Sequence, residues 1–127
     1  MPVPIQQGAT TLVLKRYYGH LDGPEPRRGL EVASPDVQFH LAMPGRTVEG
    51  RSRDDLAAYI AGRDTAGKQR VHHVVASAVH EQLEFHYGVV LENGHATGAL
   101  LSAVHTTPDG RFDRYVTLFQ PGVHLLG

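Results

Sequence analysis

The dipeptide Asn93-Gly94 constrains the fold of this chain more than any other local feature. Both central residues of a type I′ turn need positive φ, which asparagine and glycine adopt readily, and this turn joins two antiparallel strands directly. The preceding segment, Leu83–Glu92, alternates apolar residues with polar or small ones, as half-buried strands do. A β-hairpin is therefore predicted with three facing pairs: Glu92 with His95, Tyr87 with Leu100, and Phe85 with Ser102.

Two further segments extend this hairpin into a larger sheet. Val71–Val79 is rich in valine and alanine, and Phe112–Gln120 follows a second turn signal at Pro108-Asp109-Gly110. Together with the hairpin they predict a four-stranded antiparallel meander from residue 70 onward. The junction at His80–Gln82 contains no typical turn residue, so the sequence does not fix where its two strands end.

The first half of the chain is predicted to contain two longer helices. Apolar residues recur every three or four positions over residues 9–22, and Asp22-Gly23-Pro24 then ends that helix. Ser52, with Asp55 three residues later, indicates the start of a second helix that ends at Gly62. A turn of helix and two strands are predicted between them, at residues 30–33, 37–42 and 46–49. This order of elements is typical of an α+β fold.

Composition argues against several classes of protein. The 127 residues suit one domain, spanning residues 1–127. The absence of cysteine excludes disulfides and thiolate chemistry and fits a cytoplasmic location. Twelve Lys and Arg against thirteen Asp and Glu, with the basic residues scattered, argue against nucleic acid as a partner. No membrane association is expected, because residues 1–8 lack the pattern of a secretory signal and no apolar run approaches the roughly 20 residues that span a bilayer.

Four segments carry a resemblance to a known superfamily: residues 15–18 (KRYY), 34–40 (SPDVQFH), 48–51 (VEGR) and 109–119 (DGRFDRYVTLF). They resemble the nuclear transport factor 2-like superfamily, which includes SnoaL-like polyketide cyclases, ketosteroid isomerases and limonene epoxide hydrolases. The resemblance implies a cone-shaped sheet, in which a curved antiparallel four-stranded meander with additional short strands wraps around N-terminal helices. Such a cone encloses a pocket for a hydrophobic small molecule.

The resemblance to ketosteroid isomerases also implies roles for three residues. Tyr17 falls where those enzymes keep the tyrosine that hydrogen-bonds the carbonyl oxygen of the substrate. His40 and Ser102 fall where they keep their two catalytic aspartates, so steroid isomerisation itself is not expected. Histidine nevertheless suits proton transfer near neutral pH. The alternative is structural, with Tyr17 as a core aromatic residue and His40 bonded to a backbone carbonyl group.

The adjacent histidines His72 and His73 must point to opposite faces of their strand, so at most one reaches a pocket. The resemblance favours His73, because SnoaL-like sequences often carry a histidine near the start of this strand. No spacing places two histidines together on one face, so no metal site is predicted. A site shared between strands, such as His40, His73 and His86, stays open as an alternative.

The predicted hairpin register sorts the strand residues onto two faces. The pocket face, which would bind the substrate, holds Phe85, Tyr87, Val89, Leu100, Ser102, Val104, Tyr115 and Phe119. The opposite face holds His86, Ala99, Leu101, Ala103 and Val116. Because an apolar outer face is more stable covered than wet, a homodimer through the sheet is predicted.

These observations favour an enzyme of the SnoaL-like kind that acts on an apolar carbonyl compound in an enclosed pocket. The reaction would be an isomerisation, a cyclisation or a lyase reaction by proton transfer. Tyr17 would stabilise an enolate oxygen, and His40 or His73 would take the proton, with no cofactor. The alternative function is a non-catalytic binding or accessory domain for a hydrophobic small molecule, which the missing aspartates favour.

Overall fold

The computed structural model describes residues 12–63, 69–123 and 125. In chain order its elements are helix α1 (Val13–Leu21), a 3₁₀ helix (Pro26–Val32), strands β1 (Ala33–Met43) and β2 (Arg46–Gly50), helix α2 (Arg53–Ala61), and strands β3 (Arg70–His80), β4 (Leu83–Glu92), β5 (His95–Thr106) and β6 (Phe112–Pro121). The predicted helices and strands are present, with their ends shifted by a few residues. Residues 1–11, which include the predicted start of the first helix, lie outside the described residues.

The strands of the described residues form one sheet in the order β2-β1-β6-β5-β4-β3. Strands β3 to β6 pair antiparallel with their neighbours, which confirms the predicted meander. Strand β1 pairs in parallel with the free side of β6, and β2 folds back antiparallel on β1. The mixed sheet with its helices is an α+β fold, as predicted. None of the helices in the described part of the chain is long and apolar enough to cross a membrane.

Both helices pack on one face of the sheet, which we call the inner face. The side chains that α1 buries include the predicted stripe: Leu14, Tyr17, Tyr18 and Leu21. Helix α2 adds Leu56 and Ile60 to the same core. Tyr17 is fully buried and meets the rings of Phe112 and Tyr115 edge-on, at centroid distances of 5.3 and 5.6 Å. These contacts fix α1 across the middle of the sheet.

The turn between β4 and β5 has the predicted conformation, since Asn93 and Gly94 have φ values of 52° and 84°. The pairing of Glu92 with His95 is also as predicted. Further along the hairpin the register shifts by one residue, because β5 contains an extra residue, Thr97, opposite Val90 and Leu91. The Thr97 hydroxyl donates a hydrogen bond to the Val90 carbonyl at 2.9 Å and stabilises this bulge.

Because of this bulge, the register predicted for the rest of the hairpin is wrong. Tyr87 faces Leu101 rather than Leu100, and Phe85 faces Ala103 rather than Ser102. Because side chains alternate along a strand, a shift of one residue exchanges the two faces of β4 relative to β5. The second face of the sheet, which we call the outer face, therefore carries a row from four strands: Ala76 and Ala78, Phe85 and Tyr87, Leu101 and Ala103, Val116 and Leu118.

Candidate functional site

A cavity of about 240 Å³ lies between α1 and the inner face of the sheet. Its apolar wall includes Leu41, Val90, Leu100, Tyr115 and Phe119, and its polar residues include Tyr17, Arg63, Arg70, His72 and Glu92. A dry cavity of about 150 Å³ already accommodates benzene. The cavity therefore has room for one substituted ring, and an apolar wall with a few polar groups is typical of small-molecule sites.

A short, mostly buried contact beside this cavity joins His72 and Asp22. His72 Nδ1 lies 2.6 Å from Asp22 Oδ1, and the backbone N–H of His72 donates to Asp22 Oδ2 at 2.7 Å. Both side chains are mostly buried, with 13% and 12% of their surface exposed. The ring of Tyr18 stacks on the imidazole in parallel, at a centroid distance of 4.5 Å. The imidazole is thus fixed on one edge by a carboxylate and on one face by an aromatic ring.

The carboxylate determines which nitrogen of His72 is basic. A carboxylate only accepts hydrogen bonds, so Nδ1 carries the proton in the neutral imidazole and Nε2 keeps its lone pair. Within residues 12–63, 69–123 and 125, no group forms a hydrogen bond with Nε2. Asp22 is placed here by the end of α1, where it is the C-cap residue and the last helical turn stops. This arrangement is suited to a general base.

Tyr17 supplies a hydrogen-bond donor to the same cavity. Its hydroxyl is buried, and no polar group of the described residues lies within hydrogen-bonding distance. Burial is the largest cause that raises the pKa of Tyr17, and the neighbouring Tyr59 raises it further. The hydroxyl therefore stays protonated. A buried hydroxyl without a partner costs free energy, which an acceptor on a bound molecule would recover.

Neither histidine that the sequence favoured as proton carrier lies in this cavity. His40 points to the other side of β1, where its Nδ1 lies 2.8 Å from Glu49 Oε1 and its side chain is 48% exposed. His73 pairs with Val89 on the outer side of β3 and is exposed, whereas His72 faces inward. The preference for His73 over His72 was therefore wrong, and the expected pocket position of His40 is corrected as well.

The bulge in β5 also redistributes the predicted pocket residues. Leu100, Tyr115 and Phe119 line the cavity as expected. In contrast, Phe85, Tyr87 and Val89 lie on the outer side of β4, since they face Ala103, Leu101 and Ala99. His86, predicted for the outer face, is instead buried on the inner one. With His40 and His73 outside and His86 inside, these three histidines do not converge on a metal, and the described residues contain no other such cluster.

Ser102 does lie on the inner face, but neighbouring side chains already engage its hydroxyl. It is hydrogen-bonded to the Tyr18 hydroxyl at 2.8 Å and to the Thr117 hydroxyl at 2.6 Å. Tyr18 in turn lies 2.8 Å from the hydroxyl of Tyr115. This chain of hydroxyl groups supports the cavity wall rather than offering a donor to a ligand.

The sequence-based set lacks three polar residues of the cavity lining: Arg63, Arg70 and Glu92. It also lacks Asp22, the partner of His72, because the local pattern there indicates only the end of the first helix. His72 could have been assigned from the pairing of β3 with β4, because it lies opposite the buried Val90. That pairing depends on a two-residue turn at Glu81-Gln82, where Glu81 has a φ of 55° and the sequence offers no glycine or asparagine. It also depends on a bulge in β3, where the extra residue Val75 shifts the register by one and brings His72 instead of His73 opposite Val90.

Comparisons with known proteins bear on the fold. No protein-family model matches the sequence, and no curated protein matches it. Among solved structures, a SnoaL-like family protein from Agrobacterium tumefaciens has a TM-score of 0.69 at 14% identity, covering 85% of this chain and 94% of its own. IdmH from Streptomyces antibioticus, with a TM-score of 0.67 at 16% identity, covers 85% and 89%.

A third structure, from Catenulispora acidiphila, has a ketosteroid isomerase-like fold and was solved with trimethylamine. Its TM-score is 0.68 at 11% identity, with 85% of each chain covered. At these identities the likeness establishes the fold. The chain has the same fold as these proteins, which agrees with the fold that the resemblance in the sequence implies.

Proposed function

We propose that this protein is a cofactor-independent enzyme that moves a proton on a small apolar carbonyl compound. The observation that carries the proposal is the buried contact of His72 with Asp22, with His72 on the wall of a cavity whose lining also includes Tyr17, a tyrosine whose buried hydroxyl has no hydrogen-bond partner among the described residues. A base, a carboxylate that orients it and a protonated donor are the minimum set for enolisation.

In the proposed reaction, His72 Nε2 removes the proton next to the carbonyl group. The electron pair of the broken C–H bond moves to the carbonyl oxygen, where the Tyr17 hydroxyl donates a hydrogen bond to the enolate. Asp22 stabilises the imidazolium that forms. Where a double bond extends the enolate, return of the proton from His72 to the far carbon gives an isomer. Attack of the enolate carbon on a second carbonyl group of the same molecule gives a ring, and the new alkoxide oxygen then takes the proton from His72.

The solved neighbours are compatible with this class of reaction. The Agrobacterium protein is a proposed isomerase, and IdmH is a proposed polyketide cyclase. An isomerisation and a cyclisation of a carbonyl compound can both pass through an enolate, so a base and an oxyanion donor would serve either one. The low identities do not transfer a substrate, and the proposal for this chain rests on its own residues.

The test is exchange of α-protons for deuterium in one-ring ketones, from cyclohexanone to acetophenone, followed by NMR in D₂O. We expect His72→Gln to slow the exchange by about 100-fold or more, which is the usual contribution of a general base. Asp22→Asn should also slow it, because an amide that donates to Nδ1 places the proton on Nε2. His73→Gln is the matched control, since this neighbour points outward, and should leave the rate unchanged.

Two results would contradict the proposal. One is equal exchange rates for the His72→Gln and His73→Gln variants. The other is a wild-type protein that accelerates exchange of none of these ketones, in which case a non-catalytic binding domain would be the better description of this fold.

A further inference from the structure

The lining of the cavity carries more positively charged side chains than negatively charged ones. Two arginines, Arg63 and Arg70, and one glutamate, Glu92, lie on its lining. Arg70 is paired with Glu92, at 3.1 Å between Nη2 and Oε1, and each partner is about three-quarters buried. The charges of this pair offset each other, and Arg63 is the third charged residue of the lining.

Arg63 is held close to the proposed catalytic residues. It follows Gly62, which ends α2, and its Nη1 donates to the Leu21 carbonyl at the end of α1, at a long distance of 3.4 Å. Asp22, the partner of His72, follows Leu21 directly in the chain. The positive charge of Arg63 partly offsets the burial that raises the pKa of Tyr17, as expected for a cation near that ring.

A guanidinium group offers five N–H donors in a planar fork, and among the described residues one long bond to a carbonyl oxygen occupies one donor of Arg63. Arginine in such a position binds carboxylate groups better than lysine does, because two parallel hydrogen bonds form at once. In a cavity with an apolar wall these bonds are less weakened by water than at the surface.

We infer that the ligand of this cavity is a one-ring compound that carries a carboxylate group bound by Arg63. The inference rests on the proposed function for the reaction, and it adds the chemical class of the substrate. The volume of about 240 Å³ sets the size, since benzene alone occupies a cavity of about 150 Å³ and a four-ring skeleton does not fit. The apolar wall holds the ring, and Arg63 selects the anion.

Benzoate and benzamide are suitable probes because they have nearly the same shape and differ in charge. We expect wild-type protein at pH 7 to bind benzoate at least tenfold more tightly than benzamide, measured by NMR titration. Arg63→Gln should abolish this preference with little effect on benzamide. Arg63→Lys, which keeps the charge and loses the fork, should retain part of it. Arg16→Gln is the control, since it removes the same charge from an exposed position on α1.

The outcomes separate this inference from the proposed function. Equal affinity of wild-type protein for the two probes overturns the carboxylate class, while ketone exchange by His72 would still stand. If Arg16→Gln also lost the preference for benzoate over benzamide, the net charge of the protein, and not Arg63, would attract the anion. This result would also overturn the inference. Failure of a folded wild-type protein to bind either probe also overturns the carboxylate class, whereas the proposed function is decided separately by ketone exchange.

Discussion

At the scale of single residues, Tyr17 and Tyr18 are neighbours in α1 that differ in what their hydroxyl groups contact. Tyr18 is hydrogen-bonded to Ser102 and to Tyr115, both at 2.8 Å. Tyr17 is equally buried and has no partner among the described residues. One tyrosine therefore stabilises the fold, whereas the other keeps a donor free at a cost in stability, as binding sites commonly do.

Replacement of each tyrosine by phenylalanine should separate these two roles. Tyr17→Phe should leave the free energy of unfolding unchanged or raise it by up to about 1 kcal/mol, because a buried hydroxyl without a partner is removed. It should also weaken binding of a phenolate, an enolate mimic, by about tenfold or more through loss of a charge-assisted hydrogen bond. Tyr18→Phe, the matched control, should destabilise the protein by about 1–2 kcal/mol. Urea unfolding measures the stability of each variant, and a phenol titration measures its affinity for the enolate mimic. A Tyr17→Phe variant that loses stability but not affinity would contradict the assignment.

The residues of the site were predictable only in part. Tyr17 lies on an amphipathic helix whose period is visible in the sequence, so its inward position followed from spacing. The choice between His72 and His73 depends on which face of the sheet each residue of β3 occupies. The turn at Glu81-Gln82 and the bulge at Val75 set this together, and neither has a clear sequence signal. Asp22 joins His72 across 50 positions of the chain, and no local pattern reveals such a contact.

At the scale of elements, α1 is held at its first turn by a carboxylate from β4. Glu84 Oε2 accepts the backbone N–H of Val13 at 3.0 Å, and Oε1 accepts that of Leu14 at 3.2 Å. His86 donates to the same carboxylate from Nε2 at 3.1 Å. Helix N-termini carry unpaired N–H groups and partial positive charge. A buried carboxylate there accepts hydrogen bonds from the N–H groups and balances the charge. This contact across the fold positions the helix that carries Tyr17 and Asp22.

Protonation of Glu84 should therefore destabilise the protein. Burial alone would raise the pKa of Glu84, but the hydrogen bonds from His86, Val13 and Leu14 outweigh it and hold the pKa below its ordinary value. A pKa lowered by folding adds stability above the unfolded pKa, roughly 4.3, and this stability is lost as the pH falls through the folded pKa. Glu84→Gln should lower the free energy of unfolding at pH 7 by about 1–3 kcal/mol, and its difference from wild type should shrink toward pH 3.

The control for this measurement is Glu81→Gln, because Glu81 lies in the β3–β4 turn with its side chain 76% exposed. We expect its denaturation midpoint to follow that of wild type at every pH. If Glu84→Gln and Glu81→Gln gave the same small change at pH 7, the contact with the start of α1 would not be what holds the helix.

The register of the hairpin shows why some elements were predicted better than others. The Asn93-Gly94 turn fixes pairing only where the strands begin, at Glu92 and His95. The extra residue Thr97 changes the pairing beyond it, and its stabilising bond to the Val90 carbonyl is a tertiary contact without a sequence signature. Gly98 is the one local indication, because a Cβ atom there would collide with the Gln120 carbonyl.

At the scale of the whole molecule, much of the outer face of the sheet is apolar and exposed in the described residues, although the backbone N–H of Leu125 donates to the Tyr87 hydroxyl on this face at 2.7 Å. Its exposed large side chains include Phe85 at 44%, Leu101 at 49%, Val116 at 55% and Leu118 at 44%. Strands of about 10 residues are roughly 33 Å long, and the four strands β3 to β6, spaced about 4.8 Å apart, span about 14 Å. The apolar face thus offers on the order of 500 Å², more than half of the roughly 800 Å² that each partner contributes to a stable interface.

We propose that a second copy of this chain covers the outer face. The centre of the face carries alanine, valine, leucine and phenylalanine without charges, so two copies can meet about a twofold axis without burying like charges against each other. His86, which the sequence placed in this interface, is not part of it, because it is buried against Glu84 on the inner face. The interface therefore centres on Leu101, Ala103 and Val116.

A charge at the centre of the outer face should prevent this association. Leu101→Glu would place two carboxylates in an apolar interface, one from each copy, and burial of unpaired charge is costly enough to dissociate a dimer of this size. We expect light scattering at micromolar concentration to give the mass of a dimer for wild type and of a monomer for Leu101→Glu. Ala58→Glu adds the same charge on the exposed side of α2 and should remain dimeric. A monomeric wild-type protein would rule out the interface, and a dimer that tolerates Leu101→Glu would place it on another surface.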